Sequence, residues 1–461
     1  MPLLGTFIVP HPPLIIPDIG KGQEHQIEAT VHAFRRVGQQ VAAFRPETVI
    51  FITPHNVMYA DYLHMSPGSG AEGDFASFGA DEVHMKKQYD EALVNEITHI
   101  ASQRHIPAGT MGARDPSLDH GVLVPLYFIE QVYHTYQIVR ISIAGLSPLT
   151  HYRFGQCIAD AVARLDKRVV LIASGDLSHK LLPDGPYGYS PEGPAFDKQI
   201  TQAMADADFM KFLTFEESFT DAAAECGLRG FIIMAGALDG LAVESHLLSY
   251  EGPFGVGYGV GSFRIIKKDN ARRIGDMYQE NLTRHLRQIK DGEDAYVLLA
   301  RLTVEAFVRN GKMPNRPPNL PKEMTENAAG VFVSLKEEGR LRGCIGTITA
   351  TEACIADEIM RNAVQAAAED PRFDPVTEDE LDLLVYSVDV LGKAETVSSV
   401  AELDAKRYGV IVTLGSRRGL LLPNLDGVNT PDEQITIALQ KAGIGAYENY
   451  SIDRFEVVRH T

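Results

Sequence analysis

Four histidines and one acid carry most of this chain's capacity for chemistry: His11, His55, His120, His179 and Glu225. A neutral imidazole is directional and can bind a metal or move a proton near pH 7. His11 lies in Val9-Pro10-His11-Pro12-Pro13 and His55 in Thr53-Pro54-His55-Asn56, where prolines stiffen the backbone and lower the cost of holding a ligand in place. His120 follows Leu118-Asp119, and His179 closes Ser174-Gly175-Asp176-Leu177-Ser178-His179, which makes Asp176 a further candidate. Glu225 sits in Ala224-Glu225-Cys226-Gly227-Leu228, a small apolar setting in which an unpaired carboxylate is expensive to bury. Two histidines and a carboxylate on one face of a metal leave positions open for substrate and dioxygen, the non-haem iron(II) arrangement. Zinc would take the same ligands with a water and favour hydrolysis. One such histidine would read as a hydrogen-bonded core residue, but four in similar contexts point to a shared site.

The elements that must gather these side chains are legible as short apolar runs. Phe7-Ile8-Val9 precedes His11, Val49-Ile50-Phe51-Ile52 precedes His55, and Val169-Val170-Leu171-Ile172 precedes His179. Buried parallel strands read this way, and ligands of open α/β sheets collect at strand carboxyl ends. Ile27, Val31, Phe34, Val37 and Val41 form one helical face ahead of Arg45-Pro46, and helix-compatible sequence at 154–165 separates strands at 138–144 and 169–173. The first part is therefore expected to be an α/β sheet domain. Two Gly/Pro-rich stretches, 66–79 and 183–194, are expected to be loops near the site, the first a solvated surface loop and the second a pocket wall bearing Tyr187 and Tyr189. The alternation Gly255, Gly257, Gly259, Gly261 precedes Phe263-Arg264-Ile265-Ile266 rather than a helix start, so it is expected to be a glycine-bearing strand and not a nucleotide loop.

With 461 residues, 45% hydrophobic and 23% charged, the chain can bury more than one core. Thirteen of its 15 histidines precede residue 265, so the two parts do different chemistry. The expected division is 1–267, a charged helical connector at 268–292, and 293–461, where Leu298, Leu299, Leu302 and Ala306 begin a second core. A net charge of −18 without a basic run argues against nucleic acid as a partner. The expected partner is a small-molecule substrate, with dioxygen as co-substrate in the iron reading. No leader and no membrane span is expected, which suggests a cytoplasmic protein. Its four cysteines, Cys157, Cys226, Cys344 and Cys354, form no closely spaced metal pair and are expected to be reduced.

The early V-P-H-P-P, the T-P-H after a strand, D-H-G-x-x-V-P-L at 119–126 and S-G-D-L-S-H resemble the class III extradiol ring-cleavage dioxygenases of the LigB type and their relatives the Memo proteins, over roughly the first 265 residues. The resemblance implies iron ligation by His11 and His55 with Glu225 completing the triad, His179 as acid/base, and His120 as a donor to substrate or oxygen. A catechol-like diol would then bind the iron through two oxygens while His179 shuttles a proton. Memo proteins place a cysteine near the third ligand position, and Cys226 directly follows Glu225. A thiolate would bias the site toward softer metals such as copper(I), whereas the carboxylate suits iron(II) and is the expected ligand.

In the second part, the alternating run Val331 to Leu335, Leu341-Arg342-Gly343-Cys344-Ile345-Gly346-Thr347, Asp370-Pro371-Arg372-Phe373-Asp374-Pro375 and Gly419-Leu420-Leu421-Leu422-Pro423 resemble the AMMECR family from about residue 293 onward. That implies a smaller α+β domain, found in prokaryotes beside Memo-like proteins and a radical SAM enzyme, which makes a radical SAM protein a candidate partner. Cys344 has Arg342 two residues away but no nearby histidine, so a structural turn with Gly343 and Gly346 packing closely is expected ahead of a nucleophile. Arg342 and Arg372 fit either an anion-binding groove or surface ion pairs. The oligomeric state, a homo-oligomer included, is left open.

Overall fold

A computed structural model describes residues 2–425 and 427–461, which divide into two compact units, one ending at Glu280 and the other running from Asn281 to Thr461. Helix Ile274–Gly292 carries the charged stretch, and the division falls within it in sequence. The first unit is built on a six-stranded sheet. Four of its strands are parallel, in the spatial order Gln137–Ser142, Thr48–Thr53, Val169–Ser174 and Leu3–Val9. Tyr258–Lys268 and Leu241–Glu251 then extend the sheet antiparallel.

The residues explain why this sheet is buried on both faces. Along 48–53, Val49 and Phe51 point into one core while Ile50 and Ile52 point into the other, as the two-residue period of a strand requires. Helices Glu28–Phe44 and His120–Glu130 cover the first face through Val31, Phe34, Val122 and Leu126. Glu91–Gln103, Pro148–Leu165 and Leu228–Ala237 cover the second. Helix 28–44 stops at Arg45, which turns into the left-handed region (φ 48°) ahead of Pro46. Because the parallel strands run in register, Val9 pairs with Ser174 and Thr53 with Ser142, and their carboxyl ends share one edge. His11, His55 and Asp176 each follow such an end by two residues.

Two expectations are corrected or refined here. The stretch 66–79 is not merely a loop, because Gly70–Phe75 forms a strand paired with Ala80–Gln88, anchored by the buried side chains of Ala71 and Phe75. The glycine alternation does enter a strand, 258–268, and a Cβ on the preceding Gly257 would lie 2.0 Å from Asp197 Oδ2.

The second unit is α+β. One antiparallel sheet has the order Arg340–Gly346, Val331–Glu337, Leu384–Leu391, Val457–His460, and helices Ala295–Asn310 and Ile355–Ala368 share its core. A second sheet joins Glu395–Thr396, Ser451–Phe455, Gly409–Leu414 and Arg417–Leu421, with helix Pro431–Ala442 against it. No helix among the described residues is long and apolar enough to cross a membrane.

Candidate metal centre

His11 and His55 meet at the carboxyl edge of the parallel strands, with their Nε2 atoms 2.8 Å apart. His11 is held from three sides. Its backbone N–H donates to Asp176 Oδ1 (2.8 Å), its Nδ1 lies 3.1 Å from Ser174 Oγ, and Asp176 Oδ2 is 3.8 Å from its Nε2. The third donor is the thiol of Cys226, whose Sγ is 3.7 Å from His11 Nε2 and accepts the N–H of Asp176 at 3.2 Å. The ligand atoms of His11, His55 and Cys226 all lie within 4.8 Å of one another.

The side chain gathered with His11 and His55 is thus Cys226 and not the expected Glu225. Glu225 turns the other way, and its Oε2 accepts the N–H of Leu228 at 2.6 Å, at the start of helix Leu228–Ala237. The unsatisfied N–H groups and partial positive charge of a helix N-terminus attract a carboxylate, which competes with any pull toward the histidines. Ala224 takes a left-handed conformation (φ 52°) at the C-terminus of helix Glu217–Ala223, and the adjacent side chains of Glu225 and Cys226 leave the turn in different directions. The approach is close because Gly175 packs on Gly227, where a Cβ on Gly175 would lie 2.1 Å from Gly227 Cα.

His120 and His179 converge on the same place. The His120 ring centroid is 4.0 Å from that of His55 and 5.2 Å from that of His11, and the half-exposed Phe78 stands edge-on to it at 5.5 Å. His179 contacts the carbonyl oxygen of Ala224 through Nδ1, and Tyr187, well exposed, packs edge-on against its ring at 5.1 Å. Burial lowers the pKa of all four imidazoles. For His55 the shift, reinforced by His120, reaches about 4. All four are therefore neutral at pH 7, as metal ligation and proton acceptance require. Burial raises the carboxyls of Asp176 and Glu225 to about 7, and burial beside Asp176 and Glu225 pushes the Cys226 thiol well above its ordinary value.

Sequence reasoning passed over Arg140, Ser174 and Phe78. Arg140 had a signal, being the one charged residue in the otherwise buried run of strand 137–142. Its Nε donates to Ser66 Oγ (2.7 Å), Nη2 to the Asp115 carbonyl (2.7 Å) and Nη1 to the Ser117 carbonyl.

In the second unit, Cys344 and Arg342 have separate side-chain partners. Arg342 is engaged by Glu380 (2.6 and 3.1 Å) and by the carbonyl of Asp374, and Arg372 is engaged by Asp370. Cys344 Sγ lies 3.2 Å from Ser334 Oγ in edge strand 340–346, so the expected turn is a strand. The two glycines do pack closely, since a Cβ on Gly343 would meet Ala366 O at 2.2 Å and one on Gly346 would meet the Phe332 ring at 2.2 Å.

Comparison with known proteins agrees with this architecture. Residues 5–261 match the family described as the catalytic LigB subunit of aromatic ring-opening dioxygenase, and residues 297–460 match the AMMECR1 family. Protein CA_C1420 of Clostridium acetobutylicum is 41% identical over all of this chain and 99% of its own length. A protein of Thermotoga maritima is 48% identical over 37% of this chain and 98% of its own length. The crystal structure of an uncharacterized protein, PH0010 from Pyrococcus horikoshii, covers 36% of this chain and 88% of that one at 30% identity, with a TM-score of 0.34. The chain thus belongs to the LigB family of aromatic ring-opening dioxygenase catalytic subunits, with an AMMECR1 domain following in the same polypeptide.

Proposed function

We propose that the first unit is a metal-dependent oxidoreductase of the ring-opening dioxygenase type, acting on a small hydroxylated aromatic molecule, with the metal held by His11, His55 and Cys226. The observation that carries this reading is the gathering of two imidazole nitrogens and one sulfur within 4.8 Å at the carboxyl edge of a parallel sheet. The donor set fits an ion. Metal–nitrogen bonds of about 2.1 Å and metal–sulfur bonds of about 2.3 Å, opened between a right angle and a tetrahedral angle, separate two nitrogens by about 3.0–3.4 Å and nitrogen from sulfur by about 3.1–3.6 Å. The observed spacings of 2.8 and 3.7 Å lie close to these.

When bound, the ion supplies Lewis acidity to a substrate oxygen. Iron(II) is the ion the dioxygenase reading calls for, and a thiolate in the carboxylate's place widens the choice toward zinc and copper(I). The chain's own groups do the rest. His179, with Nδ1 turned to the Ala224 carbonyl, presents Nε2 as a base for a substrate hydroxyl proton. Asp176 holds the His11 backbone through its N–H, and Ser174 Oγ orients the ring through Nδ1. His120 offers a second neutral imidazole beside His55.

The test is anaerobic reconstitution of the full chain with iron(II), zinc(II) and copper(I) separately, followed by oxygen uptake on adding catechol. The expected result is one metal per chain, abolished by His55→Ala and by Cys226→Ser, and oxygen consumption with the iron form. No stoichiometric uptake of any of the three ions would overturn the reading. Stoichiometric copper(I) retention without oxygen consumption would replace it with a metal-binding role, which the thiol at position 226 favours.

A further inference from the structure

A chain of hydrogen bonds leads from His55 away from the metal centre. The backbone N–H of His55 donates to Thr53 Oγ1 at 3.2 Å, and the Thr53 hydroxyl donates in turn to Asp119 Oδ1 at 2.6 Å. Thr53 is wholly buried, so this bond to a carboxylate lies out of water, and charge-assisted bonds of that kind are short and strong. Gly121 makes room for it, since a Cβ there would lie 2.3 Å from Thr53 Oγ1. The other side of His55 is tied as well. Asn56 Nδ2 donates to Ser66 Oγ at 3.2 Å, and the same oxygen accepts from Arg140 Nε at 2.7 Å. Arg140 Nη1 stands 3.8 Å from Asp119 Oδ2. Segment 53–56 is thus gripped at one end through Asp119 and at the other through Arg140.

Asp119 immediately precedes helix His120–Glu130, a place where an aspartate ordinarily accepts a first-turn N–H. Its side chain makes no such cap among the described residues, because the carboxylate is turned to Thr53, and Oδ2 is buried without a hydrogen bond among the same residues. Both features cost the fold, and local rules broken in this way collect at functional sites. We propose that Asp119 positions His55 for the metal, acting through the Thr53 hydroxyl. This rests on the reading of His55 as a metal ligand and deepens it by naming what aims that ligand. Pro54 has its φ fixed by its ring, so the path from strand Thr48–Thr53 to His55 is set chiefly by how the flanking backbone is held. A hydroxyl whose one proton is taken by Asp119 presents only lone pairs to the His55 N–H. Without the carboxylate that hydroxyl is free to rotate, and the N–H loses a fixed acceptor. Asp119 also adjoins His120, whose ring centroid is 4.0 Å from that of His55, so one residue governs how the two imidazoles stand to each other.

The experiment frees the full chain of metal with EDTA and titrates it with cobalt(II) against a competing chelator, below the melting temperature of every variant. Thr53→Val is expected to lose about 10–100-fold in cobalt affinity, the scale for groups that orient ligands, and to shift the cobalt ligand-field bands. Thr53→Ser keeps the hydroxyl and is expected to stay within about 3-fold of the wild type, a rescue that loss of packing alone does not predict. Because the two residues act in series, Thr53→Val combined with Asp119→Ala is expected to bind no more weakly than Asp119→Ala alone. Wild-type affinity in folded Thr53→Val, or losses that multiply in the double variant, overturns the proposal. Should Thr53→Val or Asp119→Ala fail to fold, Asp119→Asn decides. Its amide oxygen still accepts from Thr53 but carries no charge, so affinity is expected to fall at least about 3-fold, and an unchanged affinity overturns the proposal. A wild type that takes up no cobalt overturns the functional reading together with this one. Uptake that His55→Ala abolishes but that is indifferent to Thr53 and Asp119 sinks this inference alone.

Discussion

Gly175→Ala perturbs the metal centre without touching a ligand, and its effect follows from distances already described. The new Cβ would lie 2.1 Å from Gly227 Cα, and both partners are backbone, so neither can swing aside. Ordinary contact begins at 3.4 Å, so the segments carrying Gly175 and Gly227 must separate by at least 1.3 Å. Asp176, next to Gly175, holds His11, and Cys226, next to Gly227, supplies the thiol. Separation of the two segments along the Cys226–His11 direction stretches their 3.7 Å spacing to about 5 Å. No single ion can bridge that, because bonds of about 2.1 and 2.3 Å reach at most about 4.4 Å. Displacing groups that merely orient ligands costs 10–100-fold in metal affinity, so losing a ligand should cost at least about 100-fold. The accompanying overpacking costs about 1–3 kcal/mol of stability, a fall of several degrees in Tm. Cobalt(II) titration against a competing chelator reads the affinity, and the thiolate-to-cobalt absorption band reports Cys226 directly. A folded Gly175→Ala protein that keeps this band and binds cobalt within about 3-fold of the wild type would refute the reasoning.

Three further outcomes are expected. Glu225→Gln should retain the metal, since Glu225 caps helix 228–237, and should lower stability by about 1 kcal/mol, whereas Cys226→Ser should lose the metal; paired melts and metal analysis separate the two. At pH 7 the imidazoles of His11 and His55 are already neutral while the Cys226 thiol, its pKa raised, still holds its proton, so metal uptake by the wild type should release about one proton per ion bound. Affinity should therefore rise with pH below the thiol pKa, and calorimetry in buffers of different ionisation enthalpy counts the protons. In the second unit, Asp370 is held at a pKa of about 2 by the Arg372 guanidinium and the Cys344 N–H. A depressed carboxyl stabilises the fold above its unfolded pKa of 3.8 and loses that contribution as pH falls toward 2. Discounted for the half-exposed Arg372, the contribution is about 1–2 kcal/mol, and Asp370→Asn should abolish the acid-dependent rise in hydrogen exchange at the Cys344 amide.

The strands that carry the site were readable because their signal is local. Phe7-Ile8-Val9, Val49 to Ile52 and Val169 to Ile172 are β-branched and aliphatic runs that only a sheet buried on both faces accommodates, and the histidines just beyond them necessarily share its carboxyl edge once the strands are parallel. The glycine alternation before Phe263 was readable for the same reason. The stretch 66–79 was not, because its glycines and prolines mask two apolar anchors, Ala71 and Phe75, that draw it into a hairpin.

What the amino-acid order determined by itself was which residue types follow which strands. Which side chain joins His11 and His55 was decided only by tertiary structure. Glu225 and Cys226 are neighbours in a turn, and which of them faces His11 depends on a helix N-terminus attracting the carboxylate and on Gly175 admitting Gly227 at backbone contact. Likewise, Asp119 and Arg140 are 21 residues apart on a helix cap and a strand, and nothing local says that one carboxylate oxygen would be buried beside the guanidinium without a donor. Local patterns fix backbone conformation because each residue carries its own propensity, whereas the direction of a single side chain is set by neighbours the folded chain brings from far away.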